Sequence, residues 1–192
     1  MTINKTMIIL ATVLGLVLAS SSAFAATDSS KPAGDPIFMQ YQGVTGDVTS
    51  SSCNSKNSIE LSSFQWGVGR GISSPTGGSA DREASAPSVS EIVITKDQDK
   101  SSVKLVQQAL NGDGKTVKID FCKTGGDNLP PYLEFNLQNT LISKYNISSG
   151  GDRPTESISL NFVKISMTVF EKGPNGTSIG TVSFDLSQNK IS

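Results

Sequence analysis

The sequence predicts a mainly β fold, an antiparallel β-barrel or tight sandwich with one flanking α-helix. Three observations lead there. Apolar and polar residues alternate with period two in segment after segment from Ile37 to Leu186. Only one stretch beyond the N-terminus, residues 101–112, changes to a helical period. Between these segments the chain is punctuated by Gly, Pro, Asn and Ser, the residues that make turns.

The chain opens with "MTINKTMIILATVLGLVLASSSAFA", in which a lysine is followed by an apolar run from Met7 to Leu18 and by Ala23-Phe24-Ala25. This pattern predicts a secretory signal peptide over residues 1–25, removed after Ala25. The apolar run is too short for a membrane span, which needs about 20 residues. Residues 26–35, "ATDSSKPAGD", have no periodicity and read as a flexible lead-in to a single domain over 36–192.

Within that domain "PIFMQYQGV" is the first strand, with Ile37, Met39 and Tyr41 on one face and Phe38, Gln40 and Gln42 on the other. "IELSSFQWGVG" is the second, aligning Phe64, Trp66 and Val68 on one face as core. Residues 69–88 form the longest irregular stretch, and a loop of that length is the first place to expect a contact surface. "VSEIVITKDQD" returns to strand, alternating Val89, Glu91, Val93 and Thr95 with Ser90, Ile92 and Ile94. In "KSSVKLVQQALNG" Val103, Val106 and Leu110 share a helical face with Leu105 and Ala109 alongside. Ser101 or Ser102 is the expected N-cap and Gly112 the expected left-handed C-terminal stop.

"KTVKIDFCK" then sets Val117, Ile119 and Phe121 against Cys122. "YLEFNLQNTLISKYNI" keeps one phase from Leu133 through Phe135, Leu137, Leu141 and Tyr145 to Ile147, and its length implies bending. Further on, Ile158, Leu160 and Phe162 are out of phase with Ile165, Met167 and Val169, which predicts a β-bulge near Val163 and Lys164. A Pro-Asn-Gly turn leads to a last strand with Val182, Phe184 and Leu186 inward.

Chemistry is mostly excluded. The chain has no histidine, which removes Ser-His-Asp and Cys-His catalysis and histidine metal sites together. "GDGKT" joins a helix to a strand, the reverse of a phosphate loop, and "DQDKSS" lacks the turn glycine and terminal glutamate of a calcium loop. Asp152, Arg153 and Glu156 suggest an exposed ion pair, not a reactive cluster. No enzyme, metal or cofactor is expected. The net charge of −1, slightly more negative once Lys5 leaves with the leader, shows no basic surface for nucleic acid, and no membrane contact is expected after cleavage. Cys53 and Cys122 favour a disulfide in a chain that leaves the cytosol, the alternative being two buried thiols.

"GGDRPTESISLNFVKISMTV" resembles the C-terminal signature of the haemolysin-coregulated protein family of type VI secretion systems. The residues that carry it are Gly150, Gly151, Arg153, Pro154, Thr155, Glu156, Leu160, Phe162 and Lys164. "IELSSFQWGV" and "ITKDQDKSSVKLVQQALNG" are similar to two further family segments, and the likeness is weakest at 44–58 and 70–88. The resemblance implies a non-enzymatic protein that self-associates into hexameric rings. Rings stack into a secretion tube, and the protein serves as tube component, secreted effector or cargo carrier beside other type VI components. In the family the long loop reaches toward the neighbouring ring. The leader departs from the family's usual pattern and implies secretion by way of the periplasm. A second reading is therefore a secreted binding module that keeps the fold without building the tube.

Overall fold

The computed structural model describes residues 34–49, 53, 55–73, 84–124, 130–171 and 176–191, within a unit running from Pro32 to Ser192. The expected leader, most of the lead-in and the Pro-Asn part of the last turn lie outside the described residues.

The strands are β1 (Ile37–Tyr41), β2 (Ile59–Leu61), β3 (Ser63–Gln65), β4 (Val68–Gly69), β5 (Ser88–Val89), β6 (Ile92–Asp97), β7 (Lys115–Phe121), β8 (Leu133–Ser148), β9 (Thr155–Asn161), β10 (Lys164–Phe170), β11 (Ser178–Asp185) and β12 (Lys190–Ile191). The helix α1 (Ser102–Asn111) lies between β6 and β7. All strand pairs are antiparallel. One layer has the order β12-β11-β10-β8-β7-β1-β2. A second, β3-β6-β9, joins it through the far half of β8. The chain crosses between layers again at Ser62, whose N–H donates to Thr95 O at 2.7 Å, so β2 pairs with β1 while β3 pairs with β6. The mainly antiparallel fold, with one helix among the described residues, is as expected. The sheet is not closed into a barrel, and the sandwich form of the expectation holds.

The bend in β8 has a local cause. Phe135 and Leu137 face the core, but beyond them Thr140 and Ile142 do, and Asn139 between them adopts φ 51°. Asparagine tolerates this left-handed conformation better than most residues. The predicted change of phase near Val163 is its counterpart, but it is not the β-bulge expected there. Lys164 pairs with Gln138 and Asn161 with Leu141, so the register against β8 is the same on both sides of the slip, and both strands change face together. The register does shift later, between Ile142 and Lys144, which brings Tyr145 partly inward. Two phase changes within β8 replace the single phase expected there; the first turns Leu141 outward, and Ile147 is exposed although it shares the face of Tyr145.

The core is built from Met39, Ile59, Ile92, Ile94, Leu105, Ile119, Leu137, Ile158 and Leu160, each with no exposed surface, and their neighbours. Phe64 and Trp66 pack on its edge against Phe135, at ring separations of 4.9 and 5.5 Å, but Val68 is exposed because the strand has already ended. The expected irregular loop begins and ends as a ribbon. Val68 pairs with Val89, Gly69 with Ser88 and Ile72 with Ala84, and residues 74–83 at its tip lie outside the described residues.

The helix differs from expectation at both ends and on its face. Ser102 and Leu105 are buried and Val106 and Ala109 half-buried, while Val103 and Leu110 are exposed. Ser101 precedes the helix without capping it through its side chain, and Ser102 Oγ instead accepts from Asp99 N at 3.0 Å. Gly112 is extended rather than left-handed. A Cβ there would lie 2.3 Å from Gln108 O, so close approach of the backbone is what requires glycine. On the last hairpin Phe184 and Leu186 pack on the core, but Val182 is largely exposed.

Candidate assembly surface

The signature segment is the structural hinge of the site. Gly151 takes φ 115°, a conformation open to glycine, and its N–H donates to Ser149 Oγ at 3.2 Å. The chain then runs beside the end of β6. Arg153 Nε donates to Gln98 O at 2.6 Å, and Gln98 N donates to Pro154 O at 2.8 Å. Thr155 starts β9 opposite Asp97 and Ser148. Leu160 and Phe162 are buried in the core, and Lys164 opens β10 between Gln138 and Asp185.

Glu156 corrects the sequence expectation. It makes no exposed pair with Asp152 or Arg153. It is fully buried, and its Oε2 accepts from Lys96 Nζ at 2.9 Å, across the β6–β9 register pair Lys96–Glu156. Lys96 is itself buried and donates further to Asp97 O at 2.8 Å, to Ser102 Oγ at 3.3 Å and to Asp99 Oδ1 at 2.8 Å. Burial pushes the Asp99 carboxyl up, but the hydrogen bonds from Lys96 and Ser101 outweigh it and hold that group below its ordinary value. Burial, and then the Glu156 carboxylate, push the Tyr145 phenol well above its ordinary value, so it stays a neutral donor. This cluster ties β6, α1, β8 and β9 together. A buried ion pair costs desolvation and is retained only with such a set of partners. Its position does structural work, since no solvent-open face offers the carboxylate to a substrate.

Sequence reasoning missed Lys96. The signal was present: Lys96 stands in phase with Ile92 and Ile94, so an inward ammonium needed an inward acid.

The cysteines meet on the opposite side of the first layer. Cys53 and Cys122 form a disulfide with Cα atoms 6.1 Å apart, packed with Phe38 and Val48 in a small cluster of its own. Among the described residues no group of three or more acids or cysteines gathers as a metal site.

Exposed apolar side chains are what remain. Val68 and Ile72 stand on the β4–β5 ribbon at 60% and 57% exposure, and Ile179 and Ile191 on β11 and β12 at 65% and 68%. Between ribbon and hairpin lies an apolar groove of about 260 Å³, lined by Trp66, Val89, Met167, Val182 and Ile191 among others. Apolar surface of this kind marks sites of association.

Comparison with known proteins decides the family. Type VI secretion system effector Hcp matches residues 38–169, more than half of the chain. The chain belongs to the Hcp family. It is similar to the protein hcp1 of Pseudomonas aeruginosa, 29% identical over 138 residues, covering 70% of this chain and 85% of that protein. A solved type six secretion system protein superposes with TM-score 0.70 at 25% identity, over 83% of this chain and 100% of that one. Hcp1 from Salmonella typhimurium superposes with TM-score 0.67 at 21% identity, over 83% of this chain and 100% of its own, which speaks for the Hcp fold alone. The protein is thus a type VI secretion protein of mainly β Hcp architecture.

Proposed function

We propose that this Hcp protein is a non-enzymatic ring-former, assembling hexameric rings that stack into a tube or travel as a secreted carrier. The observation that carries the reading is the exposed apolar ribbon of Val68 and Ile72 beside the apolar groove ending at Ile191. A ring needs two different complementary surfaces on each copy. Gly150, Gly151, Arg153, Pro154 and Thr155 act through shape, fixing the strand entry that sets β9 and β10, and Glu156 acts through its buried pair with Lys96. The test is the mass of the oxidised protein from Ala26 onward by light scattering, with imaging for rings. A monomer at high concentration sinks the reading, and Ile72→Asp is expected to shift rings toward monomer.

The leader over 1–25 and the disulfide between Cys53 and Cys122 favour a second reading, a domain over 36–192 exported through the periplasm as a secreted binding module. Deleting the secretion sheath and assaying the medium separates the two. Export that persists supports the module, and export that stops supports the tube component or carrier.

A further inference from the structure

On the face of the first layer turned away from the core, Gln40, Lys118, Asn136, Ser166 and Ser183 form a row across β1, β7, β8, β10 and β11, each the register partner of the next. A polar outer face is ordinary for an antiparallel sheet. What is not ordinary is a second wall. Residues 56–58 stand against the Gln40 end of this row and flank an open cleft of about 480 Å³. Hydrogen bonds fix that wall: Gly46 N donates to Asn57 O at 2.7 Å, Asn57 N to Val48 O at 2.8 Å and Val48 N to Ser58 O at 3.2 Å. Gly46 packs so closely that a Cβ would lie 2.0 Å from Ser58 O, and the Cys53–Cys122 disulfide anchors the segment to the end of β7.

The lining has a definite chemistry. Two ammonium groups, Lys56 and Lys118, line the cleft and no carboxylate does. Lys118 also bridges Asp120 and Glu134, each at 3.1 Å, so an incoming anion shares its ammonium with those carboxylates. The buried Ser58 hydroxyl, on the second wall, has no hydrogen-bond partner. Polar and apolar surface line it in about equal parts, and the one aromatic ring, Tyr41, is buried at 2% exposure and offers no stacking face. The volume falls in the range of about 300–1,000 Å³ usual for small-molecule sites. Two lysines with amides and hydroxyls fit a single carboxylate borne by a polyhydroxylated body, rather than an aromatic base or a polyphosphate.

We propose that this cleft binds an acidic saccharide, its carboxylate meeting Lys56 and Lys118 and its hydroxyls meeting Gln40, Asn57, Thr116 and Asn136. Binding requires the wall and therefore the intact disulfide. It does not depend on ring formation, which is scored separately by mass.

The test titrates the oxidised protein from Ala26 onward with glucuronic acid, glucose and inorganic phosphate, followed by amide chemical shifts. Saturable shifts with glucuronic acid at residues 40–42, 56–58 and 116–118 are expected, with glucose weaker by about tenfold for loss of the charge-assisted bonds. Lys56→Met and Lys118→Met are each expected to weaken glucuronic acid by a similar factor. Because Lys118→Met leaves Asp120 facing Glu134, the exposed Lys56 gives the reading that does not disturb folding. Absence of saturation, or equal binding of glucose, overturns the proposal. Phosphate binding as tight as glucuronic acid shows a bare anion site and overturns it as well, as does glucuronic acid binding unchanged in Lys56→Met.

Discussion

Two charged clusters on this protein use the same residue types and behave differently. At the inner corner, Lys96 and Glu156 are buried together and the lysine is ringed by Asp97, Asp99 and Ser102. On the outer face, Lys118 is 31% exposed and bridges Asp120 and Glu134, while Asp120 is buried at 1%. At the inner corner one ammonium serves two carboxylates, and Ser101 helps to hold Asp99. On the outer face desolvation exceeds what the half-exposed lysine returns, and burial pushes the Asp120 carboxyl up to about 6. Hydrogen bonding and burial together, rather than the presence of an opposite charge, decide whether a buried carboxylate supports the fold.

The largest effect is expected at the inner corner. Lys96→Met leaves Glu156 buried without its cation and should cost about 3–5 kcal/mol in urea unfolding. The paired replacement Lys96→Met with Glu156→Leu should recover part of that loss, because the desolvation of both is removed while Asp99 still loses its cation. If the single variant costs under about 1 kcal/mol, the inner pair behaves like a surface pair and the contrast collapses.

Next comes the disulfide that closes the outer face. Reduction, or Cys53→Ser with Cys122→Ser, should lower stability by about 2–4 kcal/mol, read as a shift of the urea midpoint. The inner corner should keep its protection from hydrogen exchange in the folded reduced protein, since Cys53 and Cys122 pack in a separate cluster.

A smaller effect separates the clusters by pH. Asp120 has a folded value above its ordinary one, so its contribution is present below about pH 4 and is lost as pH rises through about 6, an effect of about 2 kcal/mol. Asp99 acts in the opposite sense: its value is lowered, so its contribution is present above about pH 4 and lost as pH falls below it. Stability should therefore fall between about pH 4 and 6 in the native chain and stay flat there in Asp120→Asn. A native profile that rises over that interval would contradict the assignment.

The smallest effect tests the bend between the two regions. Asn139→Ala should cost about 1 kcal/mol because alanine resists φ 51°, whereas Asn139→Gly should stay within a few tenths. Thermal melts of the two variants side by side give the comparison.

Alternation made most of this fold legible. Most strand positions, the helix, the sixteen-residue β8 and the change of phase near Val163 follow from the spacing of apolar residues, but the one strand expected over residues 59–69 is split into β2, β3 and β4. The Hcp family was equally legible, through the resemblance carried by residues 150–164, and the family match spans residues 38–169. Faces were less so. Val103 and Leu110 have the right helical spacing for a core and still point outward, since α1 docks through Ser102 and Leu105 to complete the Lys96 cluster.

What the sequence determined by itself was local: period, turn chemistry, the absence of histidine and the motif. What only the tertiary structure decided was every relation between distant residues. Lys96 meets Glu156, Asn139 bends in step with Val163, and residues 56–58 flank a cleft over Lys118, across separations that alternation does not encode. The physical reason is that a period fixes which side of a strand a residue takes, while partners are fixed by register and layer crossing, which depend on the whole packed chain.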